Sequence, residues 1–203
     1  MLFAASQYAE PAVVELMKTA VLKGLLPALP GSELDATAVN LLNGPLLAHD
    51  AGVKVTVKLS GAGAAAGPYA NLVRVTMHGK DGSDKVVAGS VIDGEPRVVN
   101  IDFWQTFPTF VPQGHVLLYN NLDKPGTISR ITAILSESNI NIASLLVARQ
   151  HAGAPALSIV IADARIPTDV ANRIAALDGI SSVRTASFGD SYATARGNAR
   201  VEA

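Results

Sequence analysis

Asn121, Asp123 and Lys124 stand just ahead of Pro125–Gly126, where an apolar run from Val116 ends, and Asn141 opens the next apolar run after an amphipathic stretch. An apolar strand turning through Asp-Lys-Pro-Gly into a helix makes a compact elbow. There, side-chain oxygens meet the backbone N–H groups that a helix start leaves free. Pro125 suits the first helical position, so the loop offers donors as well as acceptors. A small charged molecule fits such an elbow, its ammonium on Asp123 and its carboxylate on the helix start. In the expected fold Asn121, Asp123 and Asn141 cluster, two at the end of one strand and one at the start of the next. The same residue types also cap and turn without binding anything.

Other candidates carry less chemistry. Arg97 follows Gly94–Glu95–Pro96 and opens a strand, where its forked donors could meet a phosphate or carboxylate; a solvated strand-end Arg is the commoner outcome. Gly61–Ala–Gly–Ala–Ala–Ala66 matches the dinucleotide fingerprint, but Gly67–Pro68 and a further strand follow it where a helix is required. A hairpin loop is the expectation there. His49, His78, His115 and His151 show no metal-ligand spacing, and no Gly-x-Ser-x-Gly elbow or Ser-His-Asp set occurs, so neither a metal site nor a catalytic residue is assigned.

Composition narrows the partners. Sixteen basic and 17 acidic side chains leave a formal net charge of −1, which speaks against nucleic acid and against an anionic membrane. The absence of cysteine removes disulfides, thiolate metal sites and a thiol nucleophile. No stretch approaches the ~20 apolar residues of a membrane span, and Met1–Ala5 lacks the basic leader of a signal peptide. A cytoplasmic protein is expected, with a plastid location also compatible.

The elements that would hold these residues fall into two halves. Ala9 to Leu29 has helical spacing, and a second helix is expected from Asp35 or Thr37 through Leu47, bent or interrupted at Gly44–Pro45. Alternation then predicts strands at 53–59, 71–77, 85–92 and 97–102, with turns at Gly79–Gly82 and Asp93–Pro96. Residues 103–114 hold three of the five Phe and the only Trp, too aromatic for a flexible linker, so they are expected to pack across an inter-domain surface. From His115 the order is strand, helix, strand, strand, helix, strand. This is the split-βαβ, ferredoxin-like sandwich, with two helices on one face of four antiparallel strands. The fold class is therefore α+β, with domains at 1–113 and 114–188 and a disordered tail at 189–203.

Residues 114–188 resemble an ACT domain, the amino-acid-sensing module, through Asn121–Leu–Asp–Lys–Pro–Gly126, Ile140–Asn–Ile–Ala143 and Leu177–Asp–Gly–Ile180. Upstream, Ala20–Val–Leu–Lys–Gly–Leu–Leu26, Asn40–Leu–Leu–Asn–Gly–Pro–Leu–Leu47 and Ala88–Gly–Ser–Val–Ile–Asp–Gly–Glu–Pro–Arg–Val98 resemble the intervening, or allosteric substrate-binding, domain of long-form D-3-phosphoglycerate dehydrogenases. The resemblance implies a parent enzyme that oxidises 3-phosphoglycerate with NAD in serine synthesis and is inhibited by L-serine. It puts Asp123 and Asn141 on effector-binding positions, Asn121 where the family uses His or Tyr, and Arg97 on a basic position of an anion site.

Departures from the family matter too. The basic residues that precede its ACT domain are missing from the neutral, aromatic stretch 103–112. The resemblance also implies that the first helix and strand of the intervening domain, and the NAD-binding and catalytic domains, are expected to lie outside this sequence. The expectation is a non-catalytic, cofactor-free regulatory portion that binds L-serine, forms homo-oligomers through its ACT domains and works with a catalytic dehydrogenase chain. Two alternatives are the small subunit of an iron–sulfur L-serine dehydratase, whose Ser-rich, His-containing N-terminal motif is not found before Leu59, and a ligand-free dimerisation platform.

Overall fold

A computed structural model of the protein describes residues 2–4, 10–29, 31–35, 37–60, 68–69, 71–79, 81–104, 108–149, 151 and 153–188. The chain divides into two compact units, Met1–Gly94 and Glu95–Ala203. Gly61–Ala66, expected from sequence to be a hairpin loop, and the tail from Gly189 lie outside the described residues.

The first unit contains β1 (Leu2–Ala4), α1 (Pro11–Leu25), a 3-10 turn (Leu26–Ala28), α2 (Gly44–Asp50), β2 (Lys58–Ser60), β3 (Leu72–His78) and β4 (Asp84–Ile92). Its strands lie in the order β2-β1-β3-β4, with β1 parallel to β2 and the other neighbours antiparallel. β1 has no counterpart among the strands expected from sequence. Leu22, Leu26, Val39 and Ala48 form the small core beside the helices.

The second helix differs from its expectation. Gly44–Pro45 starts α2 instead of bending a longer helix, because proline at the first helical positions gives up an N–H that would be unpaired anyway. The residues before it are taken up by side-chain-to-backbone bonds: Asp35 accepts from the N–H of Thr37 and of Ala38, and Asn40 and Asn43 each accept the other's N–H. Such local bonds compete with helix formation. Of the expected strand 53–59, only the end is paired, as β2, although Val53, Val55 and Val57 alternate with exposed neighbours.

The second unit contains β5 (Glu95–Ile101), β6 (His115–Leu122), α3 (Thr127–Glu137), β7 (Ile142–Arg149), β8 (Pro155–Ala162), α4 (Thr168–Ala175) and β9 (Ile180–Ser187). From β6 onward this is the expected βαββαβ order, with a sheet of β7-β8-β6-β9 in which every pair is antiparallel. Alternation splits the sheet into two apolar faces. Leu117, Tyr119, Val160 and Ala162 meet Ile131, Leu135, Val170 and Ile174 of the helices.

The opposite face is covered as well. Val116, Ala148, Leu157 and Ile159 pack against Ile101, Trp104 and Phe110. The aromatic segment is thus a second cover for the sheet, which explains why Ala156 to Val160 of β8 are all buried. Backbone bonds between Val98 and Phe110 hold the cover to β5, and Arg184 of β9 donates to Asp102 at 3.0 Å.

Phe110 is 4% exposed. Replacing it with alanine is expected to cost about 3–5 kcal/mol, read by urea unfolding with Trp104, the only tryptophan, as the fluorescent reporter. A loss below about 1 kcal/mol would mean that the segment does not form part of the core.

Candidate functional site

β6 delivers the elbow residues to the edge of the helix-covered face. Asn121 is buried; its Oδ1 accepts from Ser158 Oγ at 2.9 Å and its Nδ2 donates to the Leu122 carbonyl at 3.0 Å. Across the sheet Asn121 stands opposite Ala156, which stands opposite Arg149. These three residues form one row beneath the elbow.

Asp123 lies one step beyond the strand. Its N–H donates to the Ala154 carbonyl at 3.3 Å, while its Oδ2 accepts from Arg149 Nη1 at 2.6 Å and from the Gly153 N–H at 3.4 Å. Those donors, Arg149 first and Gly153 second, hold its carboxyl below the ordinary value of 3.8. The helix then starts at Thr127 and not at Pro125. Gly126 precedes it at φ 87°, a left-handed conformation open to glycine, and no side chain caps the helix start. Lys124 bonds through its backbone, to the Leu122 carbonyl.

Asn141 is not brought to this elbow, contrary to the clustering expected from sequence. β6 and β7 are both antiparallel to β8, so they run parallel to each other, and the start of β7 lies at the far end of the sheet from the close of β6. An eight-residue strand separates them by roughly 25 Å. There Asn141 Nδ2 donates to Asp163 Oδ2 at 2.5 Å, and the Asp163 N–H donates to the Asn141 carbonyl at 3.1 Å. Within one chain, Asn121 and Asp123 form one locus and Asn141 another.

Arg97 is also committed locally. Its Nη2 donates to Glu95 Oε2 at 2.9 Å, two residues back along β5, so an incoming anion would have to displace a carboxylate. The residues that sequence reasoning missed are Arg149 and Gly153. Arg149 ends β7 and Gly153 lies between β7 and β8; they reach Asp123 only through the sheet register, so no local motif announces them.

Elsewhere, a cavity of about 430 Å³ in the first unit is lined by Leu22, Val53 and Val55 together with Lys18, His49 and Lys54. Lys18 is already paired with Glu15 at 2.8 Å. Among the described residues no group of three or more His, Asp or Glu could hold a metal ion, and no helix is long and apolar enough to cross a membrane. In sequence β2 precedes the Gly61–Ala66 run and β3 follows it, and the run itself is outside the described residues.

Comparison with known families matches both units. The D-3-phosphoglycerate dehydrogenase intervening domain matches residues 8–102, and the ACT domain matches residues 115–179. The chain is an intervening domain of this kind followed by an ACT domain. D-3-phosphoglycerate dehydrogenase of Methanocaldococcus jannaschii is 28% identical over 169 residues, 83% of this chain and 30% of that protein. The Archaeoglobus fulgidus enzyme is 29% identical over 168 residues, and the Bacillus subtilis enzyme 27% over 180 residues, covering 82% and 89% of this chain. The chain spans about a third of these relatives, 30% and 33% of the last two. Its ACT domain carries Asp123 and Arg149 at one end of β7 and Asn141 at the other.

The ion pair sets a pH dependence. Because the folded carboxyl of Asp123 titrates below its unfolded value, the stability it contributes is present above the unfolded value and is lost as pH falls through the folded one. Arg149→Ala is expected to move the Asp123 titration up towards 3.8, followed by carbon-detected NMR of the carboxyl. An unchanged titration would mean that Arg149 does not hold Asp123 in solution.

Proposed function

We propose that this chain is the regulatory portion of a D-3-phosphoglycerate dehydrogenase and binds L-serine as a feedback effector between the ACT domains of two copies. One observation carries the reading: both loci lie at the two ends of the same edge strand. β7 pairs with β8 on one side only, and its other side is the sheet edge. Exposed edges of this kind invite pairing with a second chain.

A two-fold axis through the middle of β7 would set it antiparallel to its copy, since a two-fold interface is self-complementary. Ile142 of each copy would then stand opposite Arg149 of the other. Asn141 of one copy would arrive beside Arg149 and Asp123 of its neighbour, and each dimer would hold two such sites. Pairing through β9, the other edge, would leave Asn141 far from Asp123.

In this site Asp123 takes the effector's ammonium, and Asn141 of the second copy offers an amide that can both donate and accept. Asn121 stiffens the floor through its bond to Ser158. The NAD chemistry and the catalytic residues belong to the dehydrogenase domains that this portion regulates. The family match in both units supports this reading over the iron–sulfur dehydratase.

Calorimetry with L-serine tests it directly. The chain is expected to bind serine as a dimer, and Asp123→Ala is expected to abolish the heat while sedimentation still shows the dimer. Absence of both heat and thermal shift at millimolar L-serine would remove the sensor reading.

A further inference from the structure

Resting on the reading of an amino-acid effector at this elbow, we infer that Arg149 binds the effector's carboxylate and that the Asp123–Arg149 pair is a filter for zwitterions. Arg149 is the last residue of β7. Ala148 faces the aromatic cover, so alternation turns Arg149 to the helix-covered face, in the row with Ala156 and Asn121. The guanidinium reaches along that row to Asp123 at 2.6 Å.

The pair has the properties of a gate that a ligand can open. Its side chains are 54% and 27% exposed, so it is a surface ion pair, of the kind that contributes little to stability and parts easily. Asp123 keeps the Gly153 N–H when Arg149 leaves it. Ala156, opposite both Asn121 and Arg149, is the smallest side chain in the row and is fully buried beneath the elbow.

An α-amino acid carries its ammonium and carboxylate on adjoining atoms. Inserted between the two side chains, it presents the carboxylate to the forked donors of Arg149 and the ammonium to Asp123, replacing one charge-assisted bond by two or more. A simple amine leaves Arg149 without its partner, and a simple acid leaves Asp123 without its own. Each would break the pair while satisfying only half of it, so neither is admitted.

Calorimetry on the full chain separates the roles, using L-serine and serinol, which keeps the amine and hydroxyls but has no carboxylate. The native protein binds L-serine far more tightly than serinol. Arg149→Ala, checked for folding by circular dichroism, weakens L-serine by about ten- to a hundredfold and removes the preference over serinol. Arg149→Lys keeps the charge without the fork and falls between the two. Arg149→Ala binding L-serine within about twofold of the native chain, or keeping its preference over serinol, overturns this inference and leaves the effector reading intact. A native chain that binds neither compound overturns the effector reading itself, and this inference with it.

Discussion

The insertion of β8 between β6 and β7 is the constraint on which the second unit depends. It makes β6 and β7 parallel, and it leaves β7 at the sheet edge. Parallel sense brings the close of β7 level with the close of β6, so Arg149 can reach Asp123 across a single intervening strand. The same sense carries the start of β7, with Asn141, to the opposite end. One topological fact thus unites Asp123 with Arg149, separates both from Asn141, and leaves free the strand edge that a second copy could use to reunite them.

That edge is only useful if the sheet behind it is rigid. Rigidity comes from burial on both faces. The helices cover one with Ile131, Leu135, Val170 and Ile174, and the segment holding Ile101, Trp104 and Phe110 covers the other. A two-layer sandwich of this size would bury little apolar surface per residue, and a third layer raises that fraction. The aromatic stretch ahead of β6 therefore acts through packing. Its ion pair from Asp102 to Arg184 ties the cover to β9, the strand edge remote from β7.

Much of this was readable from residues alone, because the signals were local. The period-two runs around Leu117, Ile159 and Val183 mark strands, the Gly126 elbow marks a helix start, and the family motifs at Asn121–Gly126 and Ile140–Ala143 mark the module. Where reading failed, the deciding contact was either distant or a competition between nearby bonds. Arg149 is separated from Asp123 by 26 residues and carries no motif. Asn141 does stand at the start of β7, but β7 runs parallel to β6 across β8, a relation between distant strands that no local pattern carries. Gly44–Pro45 reads as a bend or interruption within a longer helix because the Asn40–Asn43 exchange of side-chain bonds ahead of it has no periodic signature.

The proposed effector site takes Asp123 from one copy and Asn141 from the other. Mixing two variants, Asp123→Ala and Asn141→Ala, tests it most directly, with each shown beforehand to bind no L-serine and native mass spectrometry verifying that mixed dimers form. In a mixed dimer one site collects both substitutions and the other collects neither. Serine binding is expected to return in the mixture to about a quarter of all sites. Mixed dimers that bind no serine would contradict it.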